Sequence, residues 1–479
     1  MISKTELLSV SAATRLRPDV VEKDYMLGWL LAGIYNHPAI AKTWVFKGGT
    51  CLKKCYFETY RFSEDLDFTL TDPSQIEEGF LRKTLEEVCD WVYEKTGLEI
   101  SKKDIGLDIF ENPRGHIVCQ GKVPYRGPVS PQSGGWPKIK LDLTADERLV
   151  LSPQEQPVYH PYSDAPPEGI KAYCYVYEEA FGEKFRALGE RTRPRDLYDV
   201  VNLFRNTTIK PSAAVILDIL EQKCEYKGID VPILDDLEAH RESLEGSWEN
   251  MLGHQLPELP PVDSYWDELP AIFEWIERGN VPDIPTAFPV KAGEKTIRER
   301  PGRGLTAWQG ASHVEVIRFA ATNRLCVELD YRDEQGKQST RVIEPYSLRQ
   351  TSDGNIILCA IRADDGQSRS YRTDRIMGAR TTNRVFKPRY EIELTSGGPV
   401  VMADTVAESR KIKSFASPSI RKVSRPRRTS SHFGVKYVFQ CPVCQKKFTR
   451  TKNDGTLGKH KNTWGGQCSG RRGYLVTTR

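Results

Sequence analysis

The chain has 479 residues, 39% of them hydrophobic, with 69 Lys+Arg against 65 Asp+Glu and a net charge of +4. This length exceeds what one ordinary core supports and predicts two to four domains. No apolar run reaches about 18 residues, which excludes a helical membrane span, and the opening MISKTELLSV lacks the apolar stretch of a secretory signal.

Residues 1–280 alternate helix-like and strand-like patterns. Val20 to Tyr35 carries apolar residues at helical spacing, and Trp44–Phe46 is a short strand before Gly48 and Gly49. A helix starts at Thr50 and runs to Tyr56, and Leu66 to Leu70 reads as a strand. Ile76, Phe80, Leu81, Leu85, Val88 and Val92 mark an amphipathic helix. Lys138–Thr144 alternates cleanly, with Ile139, Leu141 and Leu143 on one side and Lys140 and Asp142 on the other. From Glu178 to Arg278 the pattern is mostly helical. Val281–Gly304 is rich in Pro, Gly and charge and reads as a linker. Residues 305–395 open with a helix and continue as short strands split by the turns DEQGK, SDGN and DDGQ, which predicts a small β-barrel. The stretch 405–433 is basic, contains Ser and Pro, and reads as disordered when free. A Cys/His module follows over 434–479.

The modest net charge hides an asymmetry. Residues 405–479 hold 18 Lys+Arg and 2 Asp+Glu, a net of +16, which leaves −12 for the first 404 residues. A basic tail on an acidic body predicts a polyanion partner. Nucleic acid is favoured over lipid because the tail has no amphipathic apolar face. Most of the 11 cysteines sit singly among apolar neighbours, as at Cys51, Cys174, Cys326 and Cys359, which reads as reduced, intracellular thiols.

The segment Phe46–Leu70, FKGGTCLKKCYFETYRFSEDLDFTL, carries the first candidate site. On a strand, Asp65 and Asp67 share one face while Leu66 and Phe68 take the other. Two carboxylates held this close repel, and a divalent ion relieves the repulsion. Gly48 and Gly49 leave main-chain N–H groups open to phosphate, beside the positive end of the helix beginning near Thr50. Asp142 can add a third carboxylate from its own strand. Three acids and a Gly-Gly-Thr turn suit metal-assisted nucleotidyl transfer. D-x-D alone is common on solvated strand edges, so the combination carries the reading. Lys47, Lys53 and Lys54 read as a solvated face.

Six motifs occur in order: VEKDY (Val21–Tyr25), FKGGTCLKKCY (Phe46–Tyr56), RFSEDLDF (Arg61–Phe68), IKLDLT (Ile139–Thr144), EEAFGEKFRAL (Glu178–Leu188) and RPRDLYDV (Arg193–Val200). Over roughly residues 10–280 the chain thereby resembles the AbiEii/AbiGii toxin family of nucleotidyltransferases, within the DNA polymerase β-like superfamily. The resemblance implies an α/β (α+β) nucleotidyltransferase core with a helical C-terminal part. It implies that Gly48, Gly49 and Thr50 cradle nucleotide phosphates, that Asp65, Asp67 and Asp142 bind Mg²⁺, and that Lys184 contacts the triphosphate of an NTP substrate. Asp142 would also be the base for the acceptor hydroxyl. Asp196 and Asp199 match a motif that the family places in the active site. They lie three apart on a helix and so on one face, where a capping or ion-pair role with Arg193 or Arg195 is the alternative. Gly49 stands where Ser is commoner. Arg61 and Ser63 would orient the acidic strand, Ser63 near the nucleotide.

Val316–Ile376 resembles a WYL domain, an Sm-like or SH3-like barrel, with Ile356-Ile357-Leu358 in place of the namesake Trp-Tyr-Leu. Arg341, Arg369, Arg372 and Arg375 are candidates for binding nucleic acid or an effector, since the guanidinium fork suits phosphate. The alternative is an Arg-rich face paired with nearby acids. In the last segment, Cys441-x2-Cys444 followed by His460 and Cys468 has the spacing of a closed structural Zn²⁺ site. So small a segment needs such a staple to fold. It also resembles small phage and actinobacterial zinc ribbons. Lys446, Lys447, Arg450, Lys452, Lys459 and Lys461, with Phe448 and Trp464, give it the composition of a nucleic-acid contact.

Together these readings describe a cytoplasmic, Mg²⁺-dependent nucleotidyltransferase toxin or defence factor acting on RNA, with tRNA favoured and a separate antitoxin implied by the family. Two alternatives are a nucleic-acid-binding regulator with an idle transferase fold and an AMPylation-like enzyme that modifies protein.

Overall fold

The computed structural model describes residues 1–57, 60–131, 135–206, 211–279, 286–297 and 311–394. In the C-terminal part it describes 437–478 apart from 442, 445, 451–453, 461–467 and 470. The basic stretch 405–433 and Trp464 lie outside the described residues. The chain divides into two compact units, Met1–Ala416 and Ser417–Arg479.

Two helices, α1 (Lys4–Thr14) and α2 (Pro18–Asn36), open the first unit. Strand β1 (Trp44–Lys47) then enters a helical turn, α3 (Gly48–Cys51), which widens into a π-helical turn over Leu52–Tyr56. Next come β2 (Asp65–Leu70), α4 (Glu78–Thr96), and the strands β3 (Glu99–Ile100), β4 (Gly106–Glu111), β5 (Ile117–Arg126), β6 (Lys138–Thr144), β7 (Gln154–Val158) and β8 (Ile170–Cys174). The sheet order is β3-β5-β6-β2-β1-β8-β7, with β4 also paired to β5. At its centre β2 runs antiparallel to β1 and parallel to β6, so Lys47 and Asp142 flank Asp67 in register. The alternation read from the sequence holds: Leu66, Phe68, Ile139, Leu141 and Leu143 are all buried in the core.

The helical part comprises α5 (Tyr177–Arg191), α6 (Pro194–Arg205), α7 (Ala213–Lys227), α8 (Leu234–Glu238), α9 (Arg241–Leu252), α10 (Asp263–Trp266) and α11 (Leu269–Arg278). Pro194 starts α6, where a missing N–H costs nothing. Close packing decides Gly182, because a Cβ there would lie 2.5 Å from the Ile219 side chain of α7.

The second half of this unit has β9 (Lys295–Thr296), α12 (Ala311–Thr322), β10 (Leu325–Arg332), β11 (Gln338–Gln350), β12 (Ile356–Arg362), β13 (Ser368–Arg372) and β14 (Ile376–Val385). The antiparallel order is β13-β12-β11-β10-β14, with β9 added to β11 and a register shift between Pro345 and Ser347. Of the three residues in place of Trp-Tyr-Leu, Ile357 and Leu358 are core residues and Ile356 is partly buried against them. The apolar core of the transferase continues through Ile317, Phe319 and Ala320 of α12 into Leu329, Ile343 and Leu358 of the sheet. Asn323, just past α12, is fully buried and accepts from the hydroxyls of Tyr198 (3.0 Å) and Tyr265 (2.5 Å). Glu268 takes both Arg205 and Arg324.

The stretch read as a linker is more than that where it is described. Phe288 is buried beside Tyr346 and Phe386, and β9 pairs with β11. The cause is Arg349, whose guanidinium is buried and donates to the carbonyls of Phe288 (2.7 Å) and Pro289 (2.6 Å) and to Glu294 and Glu393 (3.3 Å each). Proline and glycine hid this from periodicity, because the anchor lies on a strand 60 residues later.

In the C-terminal unit, β15 (Tyr437–Gln440) is flanked by β16 (Lys447–Arg450) and β17 (Tyr474–Thr478) in a three-stranded antiparallel sheet. Phe439, Cys441, Leu457 and Cys468 are its buried core.

Replacing Arg349 by Met strands two carboxylates in the interior. The expected loss is about 3–5 kcal/mol of barrel stability, read from a urea unfolding curve followed by tryptophan fluorescence and near-UV circular dichroism. An unchanged midpoint would refute the anchoring role.

Candidate active site

The sequence dictates the local shape of the site. Gly48 has φ of 79°, a conformation that side chains other than glycine rarely adopt. A Cβ there would also collide with the Asp67 carboxylate. Gly49 is equally constrained by its surroundings: a Cβ would lie 2.5 Å from Arg61 Nη2 and 3.1 Å from Ser63 Oγ. The Ser63 hydroxyl therefore occupies the space beside the second glycine. Thr50 is buried and its hydroxyl donates to the Asp65 carbonyl at 2.5 Å, tying the turn to the acidic strand. What this turn offers a phosphate is main chain, not the Thr50 hydroxyl.

Asp65, Asp67 and Asp142 stand on one face of adjacent strands and are each partly exposed. Burial, reinforced by Asp142 and Asp65 and opposed by Lys47 and Lys184, pushes Asp67 up to about 6. Asp142 is also raised, by burial and then by Asp65. Their mutual repulsion is what a divalent cation would remove, so the donor set fits Mg²⁺. Lys47 is half-buried, 3.1 Å from Glu147; burial works against its charge, but Glu147, Tyr175, Glu183 and Asp67 together more than offset it and keep it protonated.

Behind the turn lies a buried ion-pair network. Asp199 accepts from Arg61 Nε and Nη2, from the Tyr60 hydroxyl and from Lys184 Nζ, all at 2.7 Å. Burial works to raise its pKa, but Arg61 and Lys184 hold it well below the usual carboxylate range. Asp196 accepts from Arg191 Nε (2.7 Å) and Nη2 (2.9 Å), with Lys184 at 3.7 Å. Asp196 and Asp199 thus share a face of α6, but as anchors. Their partners are Arg191, Arg61 and Lys184, not Arg193 or Arg195. Lys184, at once bound to Asp199 and felt by Asp67, links the network to the acidic face.

The solvated face expected for the nearby lysines is absent. Lys54 is buried and ion-paired with Asp24 at 2.8 Å. Lys53 is buried over the rings of Phe62 and Tyr159. The π-helical turn that turns both inward leaves no periodic trace in the sequence.

Of the four arginines named for the barrel, Arg372 pairs with Asp374 (2.8 Å) and Arg375 with Glu334 (3.0 Å). Arg341 and Arg369 are exposed and make no ion pair among the described residues. The sequence's alternative, an arginine face paired with acids, therefore describes half of the set.

The C-terminal donors converge. The ligand atoms of Cys441, Cys444, His460 and Cys468 all lie within 4.8 Å of one another. Cys441 and Cys468 sulfurs are 3.7 Å apart, against about 3.8 Å for two thiolates on one tetrahedral zinc. His460 Nδ1 bonds the Gly458 carbonyl at 2.9 Å, which turns Nε2 toward Cys444 Sγ at 3.3 Å. Burial raises the Cys441 thiol, but the main-chain N–H groups of Cys444 and Val443 and the His460 ring bring it down to about 6. This is a zinc-binding group. Lys446 and Lys447 are exposed beside it.

A family model described as nucleotidyl transferase AbiEii toxin, type IV toxin–antitoxin system, matches residues 29–277, just over half of the chain. The chain belongs to the AbiEii family. It is a nucleotidyltransferase of that toxin class, and a WYL domain follows at residues 312–381. Among solved structures, MenT4, a nucleotidyltransferase toxin from Mycobacterium tuberculosis H37Rv, is 19% identical with a TM-score of 0.39, over 57% of this chain and 89% of that one. Proteasome accessory factor B/C of Arthrobacter aurescens is 15% identical with a TM-score of 0.15, over 55% of this chain and 36% of that one. Both are too distant to carry functional weight. No curated protein matches the chain. Among the described residues of this AbiEii member, no helix is long and apolar enough to cross a membrane.

Two outcomes follow from these charges. The raised Asp67 means that its ionised form weakens the metal-free fold above about pH 6, a penalty that vanishes below the unfolded value near 4. Asp67→Asn is therefore expected to raise stability by about 1–2 kcal/mol at pH 7.5, after discounting for solvent screening, and by nothing at pH 4. Thermal melts in EDTA at the two pH values test this, and a destabilised variant at pH 7.5 would contradict it. Cys468→Ser is expected to lower bound zinc from one ion per chain to none, measured by elemental analysis of the purified protein.

Proposed function

We propose that this AbiEii member is a cytoplasmic toxin or defence factor that uses Mg²⁺ to transfer a nucleotide from an NTP to an RNA hydroxyl, with a tRNA end as acceptor. The observation that carries the reading is Lys184, held by Asp199 and acting on Asp67, one of three carboxylates on adjacent strands. Asp65, Asp67 and Asp142 would hold Mg²⁺, which when bound supplies Lewis acidity to the acceptor hydroxyl and charge neutralisation to the triphosphate. Main-chain N–H groups at Gly48 and Gly49 receive phosphate oxygens, and the Ser63 hydroxyl supports them where a second-position serine is missing. The Lys184 ammonium, pinned from behind, adds a fixed positive charge for the triphosphate. Asp142, with its proton affinity raised by burial and by Asp65, is the base for the acceptor hydroxyl.

Asp196 and Asp199 act by positioning. Arg341 and Arg369 on the barrel and Lys446 and Lys447 beside the zinc group supply phosphate contacts, and the +16 of residues 405–479 favours an acidic polymer over a protein acceptor. Zinc is structural, since the four donors fill its shell. A separate antitoxin restrains the activity, as the type IV family description implies.

Purified protein incubated with Mg²⁺, total bacterial RNA and each α-³²P-labelled NTP is expected to label a tRNA-sized band with one nucleotide. The label should be sensitive to RNase and absent from Asp65→Asn/Asp67→Asn. Lys184→Met is expected to lower kcat/KM for the NTP by about 10²–10³-fold. Label that resists RNase and yields to protease would instead make the acceptor a protein.

A further inference from the structure

Three further cysteines converge inside the transferase core. Cys51 closes α3, directly after the Gly-Gly-Thr turn, and Cys55 lies in the π-helical turn. Cys174 ends β8, where it pairs with Phe46 of β1. All three are buried, no disulfide joins them, and their sulfurs lie within 4.8 Å of one another. We propose that Cys51, Cys55 and Cys174 form a binding site for a trivalent metalloid of the arsenite class, whose binding staples the Gly-Gly-Thr turn to β8.

Donor number, enclosure and charge choose the class. Sulfurs bonded at about 2.3 Å to one centre lie about 3.5–4 Å apart, so the group closes by about 1 Å to hold an ion. Among the described residues, no imidazole or carboxylate joins these three donors. Tetrahedral zinc would lack its fourth ligand. Three sulfurs complete the shell of a trivalent arsenic. The interior also selects by charge. A monovalent or divalent ion on three thiolates leaves net negative charge inside an apolar core, which is costly. Lys54, the cation that acts on Cys55, is already paired with Asp24 at 2.8 Å. A trivalent centre on three thiolates leaves no net charge, and arsenous acid enters as a neutral molecule.

The thiols suit that chemistry. Burial pushes Cys51 and Cys55 up and so keeps them protonated. Burial opposes ionisation of Cys174 too, but the two neighbouring thiols donate to it and bring it down, which makes it the sulfur that attacks first. Summed over the site, three S–H and three As–O bonds break, three As–S bonds form, and three waters leave. Arsenic stays trivalent, so the step needs no oxidant or reductant. The staple also reaches the acidic strand, because Thr50, next to Cys51, holds the Asp65 carbonyl. This inference goes beyond the transferase reading and does not require it.

The test titrates zinc-loaded, full-length protein, kept reduced by a phosphine, with arsenite. The expected result is one arsenic per chain by elemental analysis, with bound zinc unchanged. X-ray absorption at the arsenic edge should show three As–S bonds and no As–O bond. Cys51→Ala, Cys55→Ala and Cys174→Ala should each weaken arsenite binding by about 10²-fold, as loss of one of three tethers does. Cys89→Ala and the double variant Cys444→Ser/Cys468→Ser should leave it unchanged. Should a core variant not fold, the absorption spectrum of the unaltered protein still decides. Arsenic bound only at the expense of zinc, or a shell that keeps an As–O bond, would overturn the three-cysteine site. A second zinc per chain, taken up by these cysteines in preference to arsenic, would overturn the ligand class. No readout involves nucleotide transfer, so failure here and failure of the transferase assay are separable.

Discussion

Everything at the centre of this molecule leans on one buried carboxylate. Asp199 is fully enclosed, and a charge there is tolerable only if it is met from every side. Arg61, Lys184 and Tyr60 meet it. In doing so they fix the floor under Gly49, the cation facing Asp67 and the segment leading to the acidic strand. The neighbouring residue, Tyr198, reaches the opposite way to Asn323 at the end of α12. One short helix, α6, thus joins catalytic geometry to the attachment of the WYL domain. This explains why the two share a continuous core rather than meeting as loosely tethered modules.

Against that well-paired interior, the face of Asp65, Asp67 and Asp142 sets like charges side by side. Asp67 and Asp142 have raised pKa values because burial and like charge both oppose ionisation. A fold optimised for stability would not keep them. They stand on adjacent strands, and Gly48 leaves room for the Asp67 carboxylate.

The C-terminal unit solves a different problem. Among the described residues, its buried apolar residues are Val438, Phe439, Leu457 and two cysteines that are themselves donors. So little apolar surface cannot offset the entropy of ordering the chain, and the Cys/His group closes the deficit.

Much of this was legible in the sequence because it is local. Alternation placed Asp65 and Asp67 on one face and Asp142 on the polar side of its own strand, and the β2–β6 pairing then brought them together. Spacing alone named Cys441, Cys444, His460 and Cys468. Helical periodicity placed Asp196 and Asp199 together. What tertiary structure decided were the partners. Arg61 lies 138 residues from Asp199, and no local pattern announces that they meet. Lys53 and Lys54 looked solvated because a π-helical turn, which turns them inward, has no sequence period. The segment 286–297 looked like a linker because its anchor, Arg349, is on a distant strand. Periodicity fixes which way a side chain faces along its own element. Only the packing of elements against one another fixes what it meets there, since that depends on pairings between residues far apart in the chain.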